Sequence, residues 1–242
     1  MRVGYGPAMS VAALVLAAGR GERLGADRPK AFVQVAGRAL VVHALAAIAA
    51  AQEIDEVIPV LGPHDGPAWS ELANELNSIP KLSDPVIGGA ERQDSMAAGL
   101  AALVQDVSHV AVHDAARPLV CPDDVDRVVR AAKRSGAAIL AVPVRDTIKR
   151  VRAGRVVETP PRSECFAAQT PQVFEVEILR EALAKAELDG RIGTDDAEIV
   201  EALGMEVTVV EGDPGNIKLT HRDDLLLAER LLARRREGSA AE

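Results

Sequence analysis

Short apolar runs that alternate with amphipathic helical patterns predict an α/β domain built on a doubly wound, mostly parallel sheet. Three observations carry that expectation. Residues 11–16, 56–61, 85–87, 109–112 and 137–142 form near-continuous apolar runs, as strands covered on both faces do. Met96, Leu100 and Leu103 recur at helical spacing, as do Val125, Val128, Val129 and Ala132, and Leu225, Ala228, Leu231 and Leu232. Residues 143–169 break the rhythm and show no helical period, so they are expected to leave the domain as a β-arm.

The helix starts have local reasons. Pro122 followed by Asp123 and Asp124 suits a first helical turn, where a missing N–H costs nothing and carboxylates meet the positive end of the helix dipole. Thr220 and Asp223 are spaced for a capping box at the start of the last helix. In the arm, residues 147–151, 155–157 and 165–168 read as short β pieces with a turn at Ala153-Gly154. Unpaired strand edges invite pairing with a second subunit; a loose insert is the alternative. The 242 residues are read as one domain, with 1–9 a loose tail before the first strand.

Composition narrows the function classes. Hydrophobic residues make up 48%, which suits a globular chain. Net charge is −8 and no basic block could track a nucleic-acid backbone; the run Arg234, Arg235, Arg236 reads as a solvated helix end. Any phosphate must therefore be met by a few placed cations. Aromatics are 2%, so stacking on Tyr5, Phe32, Trp69, Phe166 or Phe174 is a poor way to hold a base here. Cys121 and Cys165 have no metal or redox spacing and read as free thiols of a cytoplasmic protein. No signal peptide is visible, and the apolar run 39–51 is too short to cross a bilayer, so no membrane partner is expected.

The first strand runs into Ala17-Ala18-Gly19-Arg20-Gly21-Glu22-Arg23, then Pro29-Lys30. Small residues let backbone N–H groups approach a phosphate, and Arg23 and Lys30 supply charge beside them. Leu24 stands where a dinucleotide fingerprint needs its third glycine, which argues against an NAD-linked oxidoreductase. Lys30 follows Pro29, so the Gly-Lys-Ser/Thr of a Walker loop is missing.

That run resembles the signature of nucleotidyltransferases that activate sugars and polyols. Four later segments narrow the resemblance to the 2-C-methyl-D-erythritol 4-phosphate cytidylyltransferase family. They are Gly88-Gly89-Ala90-Glu91-Arg92-Gln93-Asp94-Ser95; His113-Asp114-Ala115-Ala116-Arg117-Pro118; Asp146-Thr147-Ile148-Lys149 with Gln169-Thr170-Pro171-Gln172; and Thr194-Asp195-Asp196-Ala197 with Asn216-Ile217-Lys218. All occur in the family's order, between Val11 and Leu232.

The resemblance implies a Rossmann-like nucleotidyltransferase that transfers CMP from CTP to a polyol phosphate, with Mg²⁺ as divalent cation. It implies that Arg23, Lys30, Arg162 and Lys218 oppose the charge of the reacting phosphates. Ala17, Ala18, Gly19, Gly21, Gly89, Ala90 and Ser95 match the nucleotide contacts. Ala90 replaces an acidic residue common in the family, which matters only if that contact uses the carboxylate. Asp114 and Ala115 map near ribose, polyol phosphate and metal; Asp114 either ligates Mg²⁺, which phosphates mainly hold, or positions substrate. Arg117, Thr147, Arg162, Thr194 and Lys218 map to the polyol phosphate pocket, and Thr194 also suits a helix cap. Thr147 and Arg162 lie in the arm, which in the family reaches the neighbouring subunit, so a homodimer is implied. His113 reads as a satisfied strand-end residue. Other readings are a ribitol 5-phosphate cytidylyltransferase, which shares the CTP half, and a non-catalytic nucleotide sensor, which would be expected to lack one of the four cations.

Overall fold

The computed structural model describes residues 10–19 and 28–239. The expected tail at 1–9, and Gly21 and Arg23 of the glycine loop, lie outside the described residues. In chain order the elements are β1 (Ser10–Leu16), β2 (Gln34–Val35), β3 (Arg38–Ala39), α1 (Leu40–Ala49), β4 (Glu56–Leu61), α2 (Gly66–Ser70), α3 (Ala73–Leu76) and β5 (Val86–Ile87). Then follow α4 (Arg92–Ala101), β6 (Val107–Asp114), α5 (Pro122–Ser135), β7 (Ala137–Pro143), β8 (Arg150–Arg152) and β9 (Arg155–Glu158). The chain closes with β10 (Phe166–Glu175), α6 (Val176–Leu188), α7 (Asp196–Glu201), β11 (Thr208–Glu211) and α8 (Arg222–Ser239).

Seven strands form the main sheet in the order β11-β7-β10-β6-β1-β4-β5. Neighbours are parallel except β10, which runs antiparallel to both β6 and β7. The strand β1 shows why its sequence is apolar at every step. Val11, Ala13 and Val15 face a core shared with α1 and α5, while Ala12, Leu14 and Leu16 face one shared with α4 and α6. Side chains alternate across a strand, so a strand with helices on both faces needs apolar residues at both parities.

Local chemistry sets the helix ends that matter for the site. The helix α5 starts on Pro122 with Asp123 and Asp124 in its first turn, and stops at Gly136, whose φ of 83° is the left-handed conformation glycine adopts without penalty. A capping box starts α4: the Glu91 side chain accepts from the Asp94 N–H, and the Asp94 carboxylate accepts from the Glu91 N–H at 3.0 Å. The start of α8 differs from expectation. Asp224, not Asp223, is the acidic partner, accepting from the N–H of Thr220 at 2.6 Å, the hydroxyl of Thr220 at 3.1 Å and the N–H of His221 at 2.8 Å. The helix begins one residue later than a box on Thr220 requires, so the third helical position is 224.

The strands β8 and β9 form a separate two-stranded sheet, and residues 145–159 are all exposed. Arg152 pairs with Arg155 across Ala153-Gly154, both at positive φ, as a two-residue hairpin turn requires. Pairing begins at Arg150, so Thr147 lies before the strand. The piece expected at 165–168 is the start of a ten-residue strand, β10, which runs on into the main sheet. Its alternation is masked because residues 169–174 are buried as a member of that sheet. Among the described residues no helix is long and apolar enough to cross a membrane.

The helix α4 lies close to the sheet at Gly99, where an added Cβ would come within 2.9 Å of Leu14 and 3.1 Å of Val60 side chains. Gly99→Leu should therefore destabilise the fold by roughly 1–3 kcal/mol through overpacking, read as a lower urea midpoint at unchanged m-value.

Candidate active site

Three carboxyl ends converge above the sheet. Leu16, the last residue of β1, pairs with Asp114, the last residue of β6. The N–H of Ala17 donates to the carbonyl of Val60 at 2.8 Å, and that of Ala115 to the carbonyl of Leu16 at 3.0 Å, so both chains turn while still tied to the sheet. The capped start of α4 faces them. Parallel sheets present binding crevices at this end.

Two cavities open here. The first, about 180 Å³, is lined by Ala17, Ala18 and Gly19 after β1, by Gly89, Ala90 and Ser95 around the start of α4, and by Lys30 and Ala115. The second, about 240 Å³, includes Arg117, Thr170, Gln172, Thr194 and Asp195. Arg92, Asp114 and Lys218 line both. Lys30 and Lys218 thus share one cleft. Thr147 and Arg162 line neither cavity of this chain; Thr147 is exposed, and Arg162 donates from Nη1 to the carbonyl of Arg145 at 3.1 Å.

The shared wall is an ion cluster. Asp114 Oδ1 accepts from Arg92 Nε at 3.0 Å, and Oδ2 meets Lys218 Nζ at 2.6 Å. The two terminal nitrogens of Arg92 grip Asp196 at 2.6 and 2.8 Å. The side chains of Asp114 and Asp196 are 10% and 2% exposed, whereas that of Lys218 is 42% exposed and so retains access to the cleft. Burial alone would push the Asp114 carboxyl up, but Arg92 and Lys218 outweigh it and hold the group well below the usual carboxylate range. Burial likewise disfavours the charge on Arg92, yet Asp196 and Asp114 keep it protonated. Two carboxylates face two cations in the cluster; Lys30 lines the first cavity and Arg117 the second, where Glu91 and Asp195 respectively add carboxylates.

Behind this wall runs a directed hydrogen-bond chain. The N–H of Asp114 donates to Thr170 Oγ1 at 3.0 Å. The Thr170 hydroxyl lies 3.1 Å from His113 Nδ1, and His113 Nε2 lies 3.1 Å from the carbonyl of Arg117. A carbonyl can only accept, so Nε2 carries the proton and Nδ1 accepts from Thr170. Burial lowers the His113 pKa to about 4, so at neutral pH the ring is an uncharged strut and not a base.

The Gln-Thr-Pro-Gln and Asn-Ile-Lys segments brace the two cavities. Asn216 Nδ2 donates to Thr170 O at 3.0 Å and to Gln169 Oε1 at 3.3 Å. Arg117 donates to the carbonyls of Asn216 at 2.7 Å and Ala168 at 3.1 Å, so part of its fork is spent on backbone. Gln172 Nε2 donates to Asp195 at 2.8 Å, and its Oε1 accepts the N–H groups of Asp196 and Ala197 at 3.1 and 3.0 Å. The helix cap expected at Thr194 falls on Asp195, whose side chain accepts the N–H of Glu198 at 3.0 Å. Thr194 precedes it and donates both its N–H and its hydroxyl to the Glu198 carboxylate.

Arg92, Asp196, Gln172 and Glu198 carry much of this geometry and were not expected from sequence. Arg92 lies inside the Gly88–Ser95 segment, but its partner Asp196 is 104 residues away, and no local pattern joins them.

A model of the family described as 2-C-methyl-D-erythritol 4-phosphate cytidylyltransferase matches residues 11–234. A protein of that name from Halalkalibacterium halodurans is 43% identical over 225 residues, 93% of this chain and 98% of its own length. One from Synechococcus sp. is 45% identical over 223 residues, 92% and 99% of the two chains. Among solved structures, the 2-C-methyl-D-erythritol 4-phosphate cytidylyltransferase from Thermus thermophilus matches with a TM-score of 0.76 at 40% identity, covering 92% of this chain and 98% of that one. A 4-diphosphocytidyl-2C-methyl-D-erythritol synthase from Anaerococcus prevotii matches with a TM-score of 0.82 at 28% identity, covering 93% and 96%.

The buried imidazole has a measurable consequence. Its pKa of about 4 lies below the ordinary 6.5, so between those values the unfolded chain binds a proton that the folded chain excludes. The stability from keeping His113 neutral is complete above pH 6.5 and is lost as pH falls through the window, by about 3 kcal/mol. In His113→Asn the pH dependence of urea unfolding between pH 4 and 6.5 should be shallower by about one proton.

Proposed function

This chain belongs to the 2-C-methyl-D-erythritol 4-phosphate cytidylyltransferase family, and on that premise we propose how its cleft works. The enzyme joins the cytidylyl group of CTP to 2-C-methyl-D-erythritol 4-phosphate, giving 4-diphosphocytidyl-2-C-methyl-D-erythritol and pyrophosphate. The observation that carries the reading is the wall common to the two cavities, where Lys218 and Arg92 hold the ionised Asp114 between them. CTP occupies the first cavity and the polyol phosphate the second, so the α-phosphorus and the attacking oxygen meet at that wall.

The nucleophile needs no general base. A phosphate monoester has a second pKa near about 6 and is largely dianionic at neutral pH. The obstacle is repulsion between two anions. Lys30 and Lys218, fixed in one cleft, oppose that charge without reorganising, and the same cations meet the charge that builds on the phosphoryl oxygens as pyrophosphate leaves. Arg23 is assigned the same task by family position. The base is read at close range by the backbone around Ala17, Ala18, Gly89 and Ala90, with Ser95 behind them. Ala90 has no carboxylate, so any contact there uses its backbone.

The donor set fits a divalent cation of the Mg²⁺ type. Such an ion uses one or two carboxylates and takes the rest of its shell from phosphates and water. Asp114 is kept ionised, and each of its oxygens retains a lone pair beyond its bond to Arg92 or Lys218. Bound there, the ion would neutralise phosphate charge.

Thr147 and Arg162 are assigned to the polyol phosphate pocket of a second copy of the chain, reached by the arm in a homodimer. Exposed Val151, Val156 and Val157 on the hairpin, 56%, 59% and 48% accessible, support a protein partner for it.

Substrate choice tests the reading directly. With CTP and Mg²⁺, pyrophosphate release should follow methylerythritol phosphate, and faster turnover of ribitol 5-phosphate would reject it. Lys30→Ala and Lys218→Ala should keep the wild-type circular dichroism and lose roughly 100-fold or more in turnover. The dimer is tested by complementation. Lys30→Ala and Arg162→Ala homodimers should each be nearly inactive. Mixing and re-pairing them should restore about a quarter of wild-type activity, since half the dimers are mixed and one of their two sites is intact.

A further inference from the structure

Thr194 and Glu198 impose a direction on whatever lies in the second cavity. Thr194 lines it, and its hydroxyl oxygen lies 2.8 Å from Glu198 Oε2. The same carboxylate oxygen accepts the Thr194 N–H at 2.7 Å. A carboxylate has no proton to give, so the single hydroxyl proton of Thr194 is committed to Glu198. Those two bonds also hold the Glu198 carboxyl below the usual range, so it is anionic at neutral pH. Its place is secured from the other side, because its own N–H is bound by Asp195 at 3.0 Å, and Asp195 by Gln172 at 2.8 Å.

What Thr194 still offers the cavity is lone pairs. A phosphate dianion is an acceptor only and gains nothing from them. A carbinol O–H is a donor and does. We propose that Glu198 is a positioning residue that fixes Thr194 as a hydrogen-bond acceptor, so that the polyol phosphate sits with a hydroxyl group toward Thr194 and its phosphate toward Lys218 and Arg117. The charges agree with that direction: the Glu198 carboxylate stands behind Thr194, and the two cations line the same cavity. The inference rests on the assignment of the polyol phosphate to this cavity.

Steady-state kinetics of the full-length enzyme with CTP and methylerythritol phosphate test it. Glu198→Met keeps length and helix propensity but removes the acceptor, freeing Thr194 to donate; Glu198→Ala is the second variant. Each should raise KM for the polyol phosphate roughly 3- to 30-fold, the worth of one neutral hydrogen bond or a little more, with KM for CTP unchanged. Glu198→Gln, which keeps an acceptor oxygen, should stay near wild type. Monodeoxy analogues of the polyol phosphate make the readout specific: for the one that lacks the hydroxyl facing Thr194, wild type and Glu198→Met should give the same KM. An unchanged polyol KM, an equal ratio for every analogue, or a parallel rise in KM for CTP overturns the proposal. Thr194→Val separates the two layers. If it leaves the polyol KM untouched, the cavity assignment fails. If it raises KM while Glu198→Met does not, the assignment stands and the role of Glu198 falls.

Discussion

Asp114 with Arg92 on one oxygen and Lys218 on the other is the contact on which the site depends. Its carboxylate is nearly buried, and burying a lone charge costs several kcal/mol. The two cations offset that cost together, Arg92 on one oxygen and Lys218 on the other. That ties together three parts of the chain: the end of β6, the start of α4 and the Asn-Ile-Lys loop before α8. Arg92 extends the tie to Asp196 and the start of α7. Arg92 is the charge whose removal would leave a buried group, Asp196, without its ion partner, so this one side chain ties both carboxylates into the wall of the cleft.

The polar groups around the cluster show the same economy. Several have their donor and acceptor directions set by a neighbour that can play one role. The carbonyl of Arg117 fixes the His113 tautomer, His113 fixes the Thr170 hydroxyl, and Thr170 receives the N–H of Asp114. The Glu198 carboxylate fixes Thr194 in the same way. A substrate therefore meets oriented dipoles, which lose little free energy in reorganising as charge moves during the reaction.

The fold presents this cluster because parallel strands end together. β1 and β6 stop in register at Leu16 and Asp114, and the helices on both faces leave their shared end open. The antiparallel β10 lies beside β6 and delivers Gln169, Thr170 and Gln172 beneath the second cavity. The same strand begins beside the exposed hairpin, so the arm and the inner wall of the site are covalently continuous.

By itself the sequence determined the α/β alternation, the apolar β1 and the start of α5, because each rests on spacing within about fifteen residues; the segments that line the cleft were legible through their resemblance to a family, and of those segments residues 146–149 lie apart from the cleft in the exposed stretch. It also marked the turn at Ala153-Gly154, where the structure has the two positive φ angles of a tight hairpin. Tertiary structure alone decided that Arg92 would grip Asp196 across 104 residues, that Gln172 would cap α7, and that Thr194 would yield the cap to Asp195 and turn to Glu198. It also decided that Asp224 would replace Asp223 at the start of α8. Ion pairs and hydrogen bonds of this kind depend on where the sheet brings distant backbone together, and no periodicity in the chain records that.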